Sequence, residues 1–380
     1  MSIAEIDESH FIANFTGSFG GLSDPRQVAK VDHPLMNVML IGFCGLLCGA
    51  EGWREMELFG YSKRELFDQL LDLENGIPSP DTFRRVFSSL DPLEVGDCFK
   101  SWVKESYGDL IEGDTIAIDG KALRGTRKKG AHHWSHLVHA WSSELGVCIA
   151  QHKVSNKSNE ITAIPQLLDS LAIEGCWITI DAIGCQLQIL QQIRQKKADY
   201  LIGLKGNQGS LLEQAKKLSD IQPSSDQTET IEKDHGRIES RRCEVISDLK
   251  WLDLEPGWEQ ADIQSIVKVE STRETAETTS TDTRLYICSG VLSAKEALDK
   301  TRGHWGIENK LHWQLDVAFK EDQCRIREGY ADQNLALFRK MALHLLKNGP
   351  YSKGGVKARM KRAGWDEEYL LDLILNIGYL

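Results

Sequence analysis

The nine cysteines of this 380-residue chain include no CxxC pair. An odd count without metal-type spacing argues against a disulfide framework and for a reducing compartment. Cys44 and Cys48 lie at helical spacing in an apolar stretch and read as small core residues. A membrane span is also missing. The run from Leu35 to Ala50 contains Asn37 and stops short of the roughly 20 residues a span needs, so it reads as a buried helix. The start, "MSIAEIDESH", is acidic and carries no signal-peptide pattern. Internal repeats and low-complexity tails are absent. The eleven histidines have no Cys partner at finger spacing, and "HHWSH" lacks the acid of HExxH, which argues against zinc. "LKGNQ" lacks Walker spacing, which disfavours nucleotide hydrolysis.

A basic excess is lacking too. The net charge is -11, whereas nucleic-acid binders usually present a basic surface. The charge is uneven, however. Residues 1–100 carry sixteen acids against eight bases, and residues 331–380 carry eight bases against five acids. "KALRGTRKKGAHH" (121–133) holds five Lys/Arg and no acid. A local basic surface can hold a phosphate backbone whatever the whole-chain charge.

What is present is globular: 41% hydrophobic and 27% charged, with a length that suits two or three domains. Residues 1–105 read as a helical domain. "HPLMNVMLIGFCGLLCGAEGWREMELFG" is a long helix broken near Gly49. Ser62 and Glu65 have capping-box spacing, and Pro80-Asp81 opens a helix that exposes Arg84 and Arg85. From Thr115 the pattern turns to strands. "TIAID", "LVHAWSS" and "GVCIAQHKV" form a meander. The helix "NEITAIPQLLDSLAI", strand "CWITID", helix "QLQILQQIRQKK" and strand "DYLIGLK" follow through right-handed crossovers. This α/β succession has the ribonuclease-H-like order, a mixed sheet with flanking helices over about 110–350. A β-rich insertion is expected at about 230–290, as three strands ("IESRRCEVI", "IQSIVKVES", "RLYICSG") with "TRETAETTSTD" as a long loop. A capping box at Ser293 and Glu296 starts a helix that runs through Glu308, and residues 351–380 form a helical tail.

Three acids carry the chemistry. Asp119 closes "TIAID" and Asp181 closes "CWITID". Taken singly, each also suits a turn or a helix cap. In the helix that follows, Trp305, Glu308, His312 and Leu315 recur at three- to four-residue spacing and share a face. An acid on an apolar face is a ligand candidate. Hard oxygen ligands suit Mg²⁺, with Mn²⁺ able to substitute. A metal pair roughly 3.5–4 Å apart serves phosphodiester cleavage or transfer. Candidate DNA contacts are Lys121, Arg124 and Arg127 after the first acid; Lys205 and Asn207 in "LKGNQ"; Arg237 and Arg241 on the inserted strand; and His304, Trp305 and His312 around Glu308. Trp305 offers a stacking platform for an unpaired base. Solvated faces and ordinary packing are the competing readings for each.

The motifs "AIDGKALRGT", "SNEITAIPQLL", "TIDAIGCQ", "DYLIGLKGNQ", "HGRIESR" and "HWGIENKLHWQLDVAFKEDQCR" together resemble the DDE-type insertion-sequence transposases, in the branch of the H-repeat-associated proteins. "GIPSPDTFRRVFSSLDP" resembles the helical domain that precedes the catalytic domain there, and the similarity spans about Pro34 to Lys347. The resemblance implies that Asp119, Asp181 and Glu308 form the catalytic, metal-holding triad. It implies Mg²⁺-dependent cleavage of element ends followed by strand transfer. DNA (terminal repeats and target) is the implied partner, a homodimer on paired ends the implied assembly, and the cytoplasm at the nucleoid the expected place. The helical domain would then bind DNA ends or dimerise. Asn309, His312, Asp316 and Asp322 match this branch's own motif, and Asn309 joins the candidate DNA contacts. The Tyr-Arg-Glu-Lys spacing of many relatives is absent, since Thr301, His304 and Leu315 hold those places. A catalytically silent, transposase-derived DNA-binding protein is the alternative, and a small-substrate metal phosphatase a third reading.

Overall fold

The computed structural model describes residues 15–127, 134–155, 159–234, 236–349 and 353–375. After a short helical turn at residues 15–19 come helices α1 (Leu35–Leu47), α2 (Trp53–Ser62), α3 (Arg64–Leu70), α4 (Pro80–Ser89) and α5 (Pro92–Tyr107). Helix α1 is buried from Asn37 to Leu47, and the break after it falls at Gly49, whose φ is +94°. Such a backbone conformation is open to glycine and strained for other residues. Helix α4 starts as expected, with Pro80 in its first turn and the Ser79 hydroxyl accepting from the Thr82 N–H. Ser62 does not cap α3. It is the last residue of α2, and its hydroxyl donates back to the Leu58 carbonyl at 2.8 Å. Two short helices meet there without a side-chain cap.

A single nine-stranded sheet follows, in the order β3-β2-β1-β4-β5-β9-β8-β7-β6. Strands β1 (Thr115–Leu123), β2 (Ser135–Ser142) and β3 (Val147–Lys153) form the meander. Helix α6 (Glu160–Asp169) leads to β4 (Trp177–Ile180), and α7 (Leu187–Gln195) leads to β5 (Asp199–Leu204). β1, β4 and β5 are parallel. This mixed sheet flanked by helices is consistent with a ribonuclease-H-like fold.

The expected insertion differs in three ways. It has four strands rather than three: β6 (Asp226–Asp234), β7 (Arg237–Ile246), β8 (Ser265–Glu274) and β9 (Thr279–Cys288). The stretch "DQTETIEKD", polar enough to read as loop, is β6. The "long loop" is mostly strand, with only residues 275–278 between β8 and β9. The outer ends of β8 and β9 are rich in Ser and Thr and mostly exposed, and such a stretch needs β-propensity rather than apolar alternation. Nor is the insertion a separate sheet. β9 pairs antiparallel with β5 (Leu201 with Cys288, Gly203 with Tyr286), so the ribbon prolongs the sheet. Its buried Cys243, Val245, Val267 and Val269 pack with Ala294, Ala297 and Leu298 of helix α9 (Ala294–Gly306).

α8 (Gly209–Ile221) lies between β5 and the ribbon. After α9 come a π-helical turn (Ile307–His312), α10 (Trp313–Phe319), α11 (Ala331–Asn348), α12 (Val356–Trp365) and α13 (Glu367–Leu375). α11 is the hub of the helical part. Phe338 stacks with Phe19 and meets Phe43 and Phe87 at ring separations of 5.5–6.0 Å. The hydrophobic core therefore runs unbroken from Phe15 through the sheet to Ile374. No described helix is long and apolar enough to cross a membrane.

Candidate active site

Asp119 sits in the middle of β1, not at its end. β1 stays paired with β2 through Leu123, but its pairing with β4 stops at Ile118–Ile180. Asp119 is thus the first residue past the point where the parallel neighbour leaves. A gap in the ladder opens there, and a carboxylate can occupy it. Asp181 follows β4 directly, and its carboxylate accepts the Ile183 N–H at 3.0 Å, starting a short 3₁₀ turn. The turn-cap role that the sequence offered for it is therefore filled.

Glu308 lies in the π-helical turn. Such turns insert an extra residue and recur at functional sites. The insertion changes which residues share a face. Ile307, Leu311 and Leu315 are fully buried and form the apolar stripe, His312 is buried near them, and Trp305 and Glu308 are exposed. The expected four-residue face is therefore split, with Trp305 and Glu308 on the cleft and His312 and Leu315 inside.

Asp119, Asp181 and Glu308 line one cavity of about 420 Å³, together with Thr179, Lys205, Arg284, His304 and Trp305. Burial is the main force that lifts the Asp119 carboxyl from 3.8 to about 7; the Gly120 N–H opposes it, and the Glu308, Glu160 and Asp181 charges add to it. Asp181 is raised as well, first by burial and then by Glu160, with Lys205 opposing. Like charges held together in a half-dry cleft are what a divalent cation neutralises, and an all-oxygen donor set suits a hard one. Among the described residues no group of three His, Cys, Asp or Glu is close enough together to hold a metal ion by itself. Mg²⁺ does not require one, since it keeps several waters and completes its shell with substrate phosphate. The donor chemistry therefore fits such an ion.

Behind Asp119 the packing is polar. His139, its register partner on β2, meets His312 with Nδ1 and Nε2 2.9 Å apart. His312 Nδ1 faces the Asp119 carboxylate at 3.5 Å. Burial, and then the Lys121 and Lys340 charges, hold His312 at about 3, so it faces Asp119 as a neutral ring. Lys121 shares that face of β1 but is only 7% exposed. Its ammonium binds both Asp316 oxygens at 2.6–2.7 Å, with Asp322 at 3.6 Å. This cation is committed inside the protein, and Asp316 and Asp322 gain a role the sequence did not assign.

The other candidate contacts are dispersed. Arg124 lies 3.4 Å from Asp322, and Arg127 stacks 5.9 Å from the Trp134 ring. Lys128, Lys129, His132 and His133 lie outside the described residues. Asn207 donates to the Ala182 carbonyl at 2.7 Å, fastening the turn beside Asp181. Arg237 and Arg241 pair with Glu239, and Arg241 also with Glu232. His304 contacts the Thr179 hydroxyl at 3.1 Å, and burial lowers it to about 4. Trp305 is 40% exposed and carries the Arg284 guanidinium 5.1 Å over its ring. Asn309 lines the adjoining groove beside the ribbon. Arg84 pairs with Asp81 and Glu328, and Arg85 with Asp81.

Comparison with known proteins closes the question of kinship. Residues 111–345 match the family described as "Transposase DDE domain", and residues 16–103 match "DDE_Tnp_1-associated". The chain belongs to the DDE transposase family. It is 37% identical to the "H repeat-associated putative transposase YhhI" of Escherichia coli K12, over 94% of this chain and 96% of the relative. It is 38% identical to the "Putative transposase YncI" of E. coli O157:H7, over 94% of each. The "Inactive transposase YbfQ" of E. coli K12 is 45% identical over 17% of this chain and 77% of the relative. Transposases act on DNA, and DDE domains generally use divalent metal ions.

Proposed function

We propose that the chain cuts the ends of its own insertion sequence and joins them to target DNA, with Asp119, Asp181 and Glu308 as the catalytic carboxylates. The observation that carries this reading is that these acids, 189 positions apart in sequence from first to last, line one cleft. In the first reaction water attacks the phosphorus at the element boundary, the P–O3′ bond breaks, and a 3′-hydroxyl is released. In the second that hydroxyl attacks a target phosphorus, a new P–O3′ bond forms, and the target's own 3′-oxygen leaves. The three carboxylates would hold Mg²⁺, or Mn²⁺ in its place, which supplies Lewis-acid stabilisation of the attacking and leaving oxygens. His312 and His139 fix the Asp119 side chain. Arg124, Arg127 and Lys205 offer charge to the backbone. Trp305, held by Arg284, offers a stacking face to an unpaired base. Asn309 and the arginines of β7 flank the path, and residues 16–103 bind DNA ends or dimerise. The working form is a homodimer on paired ends, at the nucleoid.

The test is a labelled duplex carrying the element's terminal repeats, incubated with Mg²⁺, Mn²⁺ or EDTA. Boundary nicking that needs metal and is lost in Glu308→Ala and Asp119→Ala is the expected result. A mutant that still cuts in Mg²⁺ sinks the assignment. Binding without cutting under any condition would favour the silent DNA-binding reading.

A further inference from the structure

We infer that the Lys121–Asp316 ion pair positions Glu308, by fixing how far along β1 the helix that carries this acid can lie. The inference rests on the metal-dependent reading above. Residues 119 and 121 lie on one face of β1. Asp119 meets His312 at 3.5 Å, and Lys121 meets both oxygens of Asp316 at 2.6–2.7 Å. Two strand residues advance about 6.8 Å, and four helix residues advance about 6.0 Å. The two contacts are therefore rungs of one ladder, and a helix displaced by one turn would lose both. Glu308 lies in the π turn that ends at the first rung, His312, so its place over the cleft is set from there. The attachment continues past the second rung. Asp322 lies 3.6 Å from Lys121 and 3.4 Å from Arg124. The Cys324 carbonyl comes so close to Gly125 that a β-carbon there would overlap it.

Stability alone explains the pair poorly. The Lys121 side chain is buried and that of Asp316 is two-thirds covered. Taking such charges out of water cancels much of their attraction, and an apolar pair of similar volume often holds a fold as well or better. Apolar side chains, however, slide past one another. One ammonium shared by two carboxylate oxygens resists sliding, because displacement stretches both bonds. What the pair adds is register. Neither residue lines the cleft, so both are positioning residues that act through the helix bearing Glu308.

The experiment pairs urea unfolding with Mn²⁺ binding to the full chain by titration calorimetry, without DNA. The proteins are wild type, Lys121→Met, the double variant Lys121→Met with Asp316→Leu, and Asp119→Asn. The double variant removes the tether, leaves the net charge unchanged and strands neither charge of the pair. Its urea midpoint should lie closer to wild type than that of Lys121→Met alone. Its Mn²⁺ affinity should nevertheless stay about tenfold or more below wild type, the scale of a lost outer partner at a metal site. Affinity that recovers together with the midpoint shows a role in stability only and overturns this inference; a weakened Asp119→Asn then leaves the transposase reading standing. Wild-type affinity in Asp119→Asn as well overturns the metal assignment itself. If the double variant does not fold, Asp316→Glu decides. It keeps both charges and lengthens the tether by one methylene, and undiminished Mn²⁺ binding there overturns the inference.

Discussion

Asp119→Asn should make the metal-free protein more stable above neutral pH. In EDTA the Asp119 carboxyl sits at about 7 against an ordinary 3.8. An acid raised in the folded state contributes stability that is complete below its unfolded value and is lost as pH rises through its folded value. Each pH unit of that interval is worth about 1.36 kcal/mol. The full loss is therefore about 4 kcal/mol, and about 3 kcal/mol of it falls between pH 5 and 8. Asparagine keeps the shape and cannot ionise, so the mutant lacks this slope. Urea unfolding of both proteins from pH 5 to 8.5 in EDTA measures the difference. The curves should diverge with rising pH, wild type falling faster. Adding Mg²⁺ at pH 8 should restore wild type and leave the mutant little changed. Parallel curves would refute the argument that burial and neighbouring acids keep this carboxyl protonated.

Three further outcomes follow from particular contacts. Lys121→Met leaves Asp316 without its cation and should cost about 2–4 kcal/mol in urea unfolding, the scale of a broken half-buried pair; the salt slope of DNA binding should stay as in wild type, because the ammonium is not on the surface. Trp305→Ala should weaken binding of a substrate with an unpaired base by about 1–3 kcal/mol and leave intact duplex unaffected, read by fluorescence anisotropy; equal losses on both would rule out stacking. His312→Ala removes the ring between His139 and Asp119 and should destabilise by about 1–3 kcal/mol near pH 8, the penalty for a buried polar group left unpaired. The loss should shrink as pH falls from about 7 to 5, because the folded wild-type ring is held at about 3 while the unfolded imidazole takes up a proton near its ordinary 6.5; a loss that stays constant over that range would refute the buried neutral ring.

Much of this was legible along the chain. The capping box at Ser293 and Glu296 forms as spaced, with both reciprocal bonds present. The run of apolar and polar residues through β1 to β5 gave the strand order, because buried strands and amphipathic helices leave distinct periods. The acids stood out because carboxylates are costly in apolar surroundings. Other features had no local signal. "DQTETIEKD" carries no apolar alternation, and it is a strand only because β7 pairs along its whole length. The π turn at Glu308 is invisible to a 3.6-residue period, so the helix face was misdrawn.

The sequence by itself determined most classes of element and their order from β1 to β5, and it singled out three acids as candidates, because periodicity and the cost of a lone carboxylate act locally. The tertiary structure decided which charges are free. Lys121, Arg237 and Arg241 look like DNA contacts in one dimension, yet each meets a carboxylate of this same chain. A basic residue shows its sign in sequence. Whether that charge faces solvent or an internal partner depends on pairings across distant segments, such as the 195 positions between Lys121 and Asp316, and only the folded chain makes them.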